Sequence, residues 1–75
     1  MSADDEVIEV YNVTIYFPSK HADVVQAHFP KYEINRFKNL HGDAYVVIQD
    51  NETLERFIGT LSELLLLPIS DRRHK

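Results

Sequence analysis

The chain has 75 residues, a mass of 8.8 kDa and 44% hydrophobic residues, so one small folded domain is expected rather than a disordered segment. Without a cysteine it has no disulfide, thiolate metal site or cysteine nucleophile to supplement the thin stability margin of a domain this size. Twelve acidic against eight basic residues give a net charge of −4, which weighs against a general binder of nucleic acid or anionic membranes.

The stretch Met1-Ser2-Ala3-Asp4-Asp5-Glu6 is acidic where a secretory signal would be basic, and no apolar run follows it. A cytoplasmic protein is therefore expected, and the sequons Asn12-Val13-Thr14 and Asn51-Glu52-Thr53 read as chance matches. The domain is expected to span 1–75, with solvated tails at about 1–6 and 70–75.

From Val7 to Phe17 the chain is rich in β-branched and aromatic residues. Val7, Tyr11, Val13, Ile15 and Phe17 share one parity and Asn12 and Thr14 the other, which predicts a single strand with one buried face. Pro18-Ser19-Lys20 breaks it. His21 to Phe29 has two readings: a strand returning along 7–17, or a short helix capped by Ser19 with Ala22, Val25 and Phe29 on one face. Lys31 to Lys38 alternates Tyr32 and Ile34 with Glu33 and Asn35. Ala44 to Ile48 is apolar on both faces, as in a central strand. The segment Asn39–Asp43, with Gly42, joins the two as a hairpin over 31–48.

The region 52–67 also has two readings. Leu54, Phe57, Ile58, Leu61, Leu64 and Leu65 form a complete helical stripe, with Asp50 or Asn51 as cap and Pro68 as stop. Against a helix, Gly59 costs about 1 kcal/mol of propensity. The β alternative has strands at 53–58 and 64–69 around a turn at Gly59–Ser62.

The strings Tyr11-Asn12-Val13-Thr14-Ile15-Tyr16-Phe17, Asp23-Val24-Val25, Lys31-Tyr32-Glu33-Ile34, Ala44-Tyr45-Val46-Val47-Ile48 and Leu64–Ile69 together resemble a loose group of small accessory proteins. These are β-rich proteins encoded by phages and mobile elements of Gram-positive bacteria. The resemblance covers about residues 10–70 and implies a compact antiparallel sheet closed by a final strand, with no catalytic residue. It also implies a partner in the host, a protein that the chain engages or inhibits. Pro18-Ser19-Lys20-His21 departs from the pattern, where a glycine-rich hairpin would be usual. The resulting expectation is an all-β domain, a small antiparallel sheet or barrel-like set of hairpins. The alternative is α+β, with 52–67 and also 19–29 helical.

The sequence offers little for catalysis. It lacks Gly-x-Gly-x-x-Gly, a P-loop and His-Glu-x-x-His, and Ser2, Ser19, Ser62 and Ser70 lie in no nucleophile-elbow motif. His21, Asp23 and His28 converge on neither a strand nor a helix, so no metal and no cofactor is expected. His41 suits a loop tip, and the histidines titrate near neutrality, which would make an interface pH-sensitive. Lys31, Arg36, Phe37 and Lys38, with Tyr32 among them, interleave cations and rings as a single-strand stacking surface would, although Glu33 interrupts them. Conversely, Asp4, Asp5, Glu6, Glu9, Asp50, Glu52 and Glu55 are candidates for acidic nucleic-acid mimicry, diluted by Lys20 and Arg56.

The sharpest feature is the run Leu64–Leu67. A strand would put leucines on both faces and a helix would leave Leu66 or Leu67 off the stripe, so one leucine is left exposed in a monomer. Burial of one leucine contributes about 1.5–3 kcal/mol, doubled by two-fold symmetry. The bland alternative packs Leu66 and Leu67 under the N-terminal strand. The expectation is a non-enzymatic protein-interaction module, homo-oligomeric through Phe57, Leu64, Leu65, Leu66, Leu67 and Ile69. Its partners are itself and another protein, with nucleic acid less favoured and membrane excluded.

Overall fold

A computed structural model describes residues 6–36 and 43–73. The first strand expected from alternation is two strands. β1 (Ile8–Tyr11) and β2 (Thr14–Pro18) form an antiparallel hairpin, with Glu9 opposite Tyr16, Val10 opposite Ile15 and Tyr11 opposite Thr14. Between them Asn12 takes φ 48°, a left-handed conformation that asparagine tolerates better than most residues. The turn flips the parity of the buried face: Ile8 and Val10 precede it, Ile15 and Phe17 follow it, and all four are essentially inaccessible. A single strand would have put these two pairs on opposite faces.

After β2, Ser19–His21 forms a 3₁₀ turn that leads into α1 (Ala22–His28), the helical alternative for 19–29. Its buried residues are Ala22 and Val25, and Phe29 packs against the core beyond its end. Ser19 does not cap it; His21 occupies the N-cap position without a side-chain bond. Residues 31–34 are irregular rather than a strand, and pairing begins only at β3 (Asn35–Arg36), antiparallel to β4 (Asp43–Val47). The expected loop 39–43 lies, up to Gly42, outside the described residues.

The stripe in 52–67 is a helix. α2 (Asn51–Leu65) is N-capped by Asp50, whose carboxylate accepts from the Thr53 N–H at 2.9 Å and from the Thr53 hydroxyl at 2.6 Å. Leu54, Phe57 and Leu61 are buried, and Ile58 and Leu65 pack beside them. Gly59 lies on the outer side, where an added Cβ would meet nothing within 4 Å. The helix stops at Leu66, which has φ 56° and donates its N–H to the Ser62 carbonyl. β5 (Ile69–Asp71) then pairs parallel to β1, so 70–73 is not a tail.

The strand order is β3-β4-β2-β1-β5. From β2 onward the chain makes two split β-α-β crossovers: β2-α1-β3 spans β4, and β4-α2-β5 spans β2 and β1. Both helices bury residues in the single core formed with Ile8, Val10, Ile15, Phe17, Ala44 and Val46. The architecture is thus α+β, two helices on one face of a mixed five-stranded sheet, and the all-β expectation is corrected. Alternation located β2 and β4 but merged β1 with β2, and the 3.6-residue stripe, not the resemblance, was the right guide to 52–67.

Candidate functional site

With both helices on one side, no described element covers the other face of the sheet. Register places positions 9, 11, 14, 16, 18, 35, 43, 45, 47 and 70 there: Glu9, Tyr11, Thr14, Tyr16, Pro18, Asn35, Asp43, Tyr45, Val47 and Ser70. One row crosses the whole sheet: Ser70, Glu9, Tyr16, Tyr45 and Asn35 lie side by side on β5, β1, β2, β4 and β3. The tyrosines form a continuous aromatic strip. Tyr11 meets Tyr16 edge to face at 5.6 Å between centroids, and Tyr16 lies 5.9 Å from Tyr45 at a 35° tilt. Tyr11 is 38% exposed and Val47 is 44% exposed, with Val13 of the turn close behind.

The solvated face of a half-covered sheet ordinarily alternates in polar residues. Here Tyr11, Tyr16, Tyr45 and Val47 lie on the three inner strands β1, β2 and β4, together with Glu9 and Thr14, while Ser70 and Asn35 occupy the two edge strands. Arg72 follows β5 and donates from its Nε to the Ser70 hydroxyl at 3.2 Å. Among the side chains described on this face the charges are those of Glu9 and Arg72, and register gives Asp43 a position on the same face.

The leucine run does not form the surface expected of it. Phe57 is 1% exposed and stacks on Phe29 at 3.8 Å, with Tyr32 edge-on at 5.7 Å. Leu65, Leu67 and Ile69 pack against the core, and Leu64 is half-buried. Leu66 alone is openly exposed, at 83%, because its left-handed backbone turns the side chain out of the helical stripe. Of the six residues expected at an interface, Phe57 is fully buried, while Leu64, Leu65, Leu67 and Ile69 keep part of their surface accessible beside Leu66.

The basic-aromatic set 31–38 does not assemble on the sheet face either. Arg36 lies on the helical side and pairs with Asp23 of α1 at 2.7 Å. Tyr32 packs into the core, Lys31 is on the exposed loop, and Phe37 and Lys38 are outside the described residues. The candidate mimic acids are scattered and partly engaged: Glu6 pairs with Lys20 at 2.7 Å, Asp50 caps α2, and Glu55 pairs with Arg73 at 2.6 Å. Asp4 and Asp5 lie outside the described residues. Arg73 also pairs with Asp71, and these hydrogen bonds, first to Asp71 and then to Glu55, raise its pKa. The basic end of the chain thereby ties β5 to α2.

His21, Asp23 and His28 do not gather into a metal site; no cluster of three such ligands occurs among the described residues. No helix among them is long and apolar enough to cross a membrane. Set against known proteins, the chain matches no family model, no curated protein and no solved structure significantly. The tyrosine face was hidden from sequence reasoning because Tyr11 and Tyr16 have opposite parity until the turn at Asn12-Val13 brings them to one face, and Tyr45 is distant in the chain until β4 pairs with β2. The available signal was that Tyr16 and Tyr45 each alternate with buried neighbours, Ile15 and Phe17, Ala44 and Val46.

Proposed function

We infer that this chain is a non-enzymatic, self-associating protein-interaction module whose working surface is the open face of its sheet. The observation that carries the reading is the distribution of described side chains on that face: aromatic and aliphatic groups at the centre and polar groups on the edge strands. Protein interfaces have this anatomy, with tyrosine enriched at the desolvated centre. The resemblance to phage and mobile-element accessory proteins suggests a host protein as the further partner, engaged or inhibited in the host cytoplasm.

A second reading has one specific observation in its favour. Tyr16 and Tyr45 sit on adjacent central strands of an open sheet, the placement that lets a sheet stack unpaired bases. Single-strand binding also needs cations along the backbone path, and this face offers Arg72 against Glu9. The charge balance therefore favours a protein.

A photo-crosslinking residue at Val47, compared with one at Glu63 on the outer side of α2, tests the module reading in cells. Adducts to protein are expected from position 47, not from 63, and are lost when Tyr16→Asp is added. Equal yields from both positions would sink the reading. So would tyrosine fluorescence quenched by a single-stranded oligonucleotide with steep salt dependence.

A further inference from the structure

We propose that β5 is an exchangeable strand: two copies of this chain trade residues 68–73, each β5 pairing with β1 of the other copy, with Leu66-Leu67 as the hinge. This rests on the self-association inferred above and gives it a route that leaves the open sheet face free for a different protein. The hinge supplies the reason to open. Among the described residues only Asn12 and Leu66 are non-glycine residues with positive φ, and Leu66 is 83% exposed. Asparagine suits that conformation, whereas leucine there has a strained backbone and, in the closed chain, a side chain that buries little. Pro68 acts in the same direction: a residue before proline is driven to extended backbone, so Leu67-Pro68 is stiff and extended. Short hinges under strain invite exchange of the element that follows them.

A second copy presents to β5 the same groups that its own chain presents. In the closed chain Ile69, Ser70 and Asp71 lie opposite Ile8, Glu9 and Val10. The Ile8 N–H donates to the Pro68 carbonyl and the Arg72 N–H to the Val10 carbonyl, each at 2.8 Å. Beyond the strand, Arg73 pairs with Glu55 of α2 at 2.6 Å. Every one of these contacts joins residues after the hinge to residues before it, so exchange re-forms each of them between the two copies. β5 lies at the edge of the sheet with β1 as its one neighbouring strand, and it leaves without breaking another pairing. Only the hinge residues change surroundings. There Leu66 is released from the left-handed region, and the two hinges meet at the two-fold axis, where each Leu66 side chain gains an apolar neighbour.

Two single variants, Glu9→Cys and Ser70→Cys, read the exchange directly, because the chain has no cysteine of its own. Positions 9 and 70 are register partners on strands about 4.8 Å apart, inside the roughly 4.4–6.8 Å Cα span of a disulfide. The two variants are mixed, refolded together at about 1 mM and oxidised, a concentration high enough to populate a weak dimer. The expected product is a disulfide-linked heterodimer of twice 8.8 kDa, in clear excess over the homodimers that either variant gives alone. A heterodimer yield no greater than the homodimer yields overturns exchange. Sedimentation equilibrium of the unaltered chain should show its mass rising towards the dimer value by about 1 mM, and a monomer at that concentration overturns it as well. Leu66→Gly removes the strain of the closed hinge and is expected to weaken the dimer at least tenfold, with the circular dichroism of the dilute protein unchanged. An undiminished dimer in Leu66→Gly would refute the hinge. A monomeric chain whose position 47 still crosslinks to a different protein would end the exchange and the self-association while leaving the open-face module reading in place.

Discussion

Gln26 of α1 is the side chain whose removal should most clearly reveal how the rim of the sheet is held. Its amide nitrogen donates to the carbonyls of Phe29 and Tyr32, and its amide oxygen accepts from the Ile34 N–H at 3.3 Å. One side chain thereby satisfies three backbone groups of the irregular segment that delivers the chain to β3 and places Asn35 beside Tyr45. Each bond contributes about 0.5–1.5 kcal/mol net, and two of the three are long, so Gln26→Ala is expected to cost about 2 kcal/mol. A domain of this size has only about 4–11 kcal/mol of total stability, so the loss is substantial. It corresponds to a fall in the melting midpoint of about 8–16 °C, measured by far-UV circular dichroism at fixed protein concentration. Gln26→Glu gives the sign. Its carboxylate would face two carbonyl oxygens, so the charged form is disfavoured and its folded pKa lies above the unfolded value of about 4.3. The penalty is absent below the unfolded pKa and grows as pH rises through the folded one, so this variant should be less stable than Gln26→Ala at pH 7 and recover in acid. A loss under about 0.5 kcal/mol for Gln26→Ala, or no acid recovery for Gln26→Glu, would refute the assignment of Gln26 as the organiser of this segment.

Two substitutions should stabilise the fold. Gly59→Ala fills open space in the middle of α2 and is expected to add about 0.5–1 kcal/mol in urea unfolding, because it removes the entropy glycine loses in a helix. Leu66→Gly relieves a left-handed backbone, which costs an ordinary residue about 1–2 kcal/mol, offset in part by glycine's freedom when unfolded. A midpoint rise is expected, and a fall would mean that the exposed leucine makes a stabilising contact in solution. Asp50 supplies acid sensitivity. The Thr53 hydroxyl, then the Thr53 N–H, hold its pKa below the ordinary carboxylate value, so its contribution is present above the unfolded pKa and lost as pH falls through the lowered folded one. Asp50→Ala should lower the midpoint at pH 7 and flatten that part of the acid-unfolding profile; an unchanged profile would exclude the cap as its source.

What the amino-acid order determined by itself was local. Asp50, the stripe from Leu54 to Leu65 and Pro68 specify α2, because capping and a 3.6-residue period act within one segment. The strands at 14–18 and 43–47 were legible from alternation and β-branched content, and the exposure of at least one leucine in 64–67 followed from the mismatch between the run and either period. Alternation, however, is blind to a two-residue turn that preserves β-like neighbours on both sides. The parity flip at Asn12-Val13 therefore passed as one strand, although Ile8 and Val10 stood on the other parity. Pairing across the chain decided the rest. β5 became a strand because Ile69–Asp71 found an open edge of β1, not because three residues carry a signal of their own. Alternation also states that a sheet has two faces without stating which one is covered. The two crossovers placed both helices over Ile8, Val10, Ile15 and Phe17, and only that choice left Tyr11, Tyr16 and Tyr45 together on the open side.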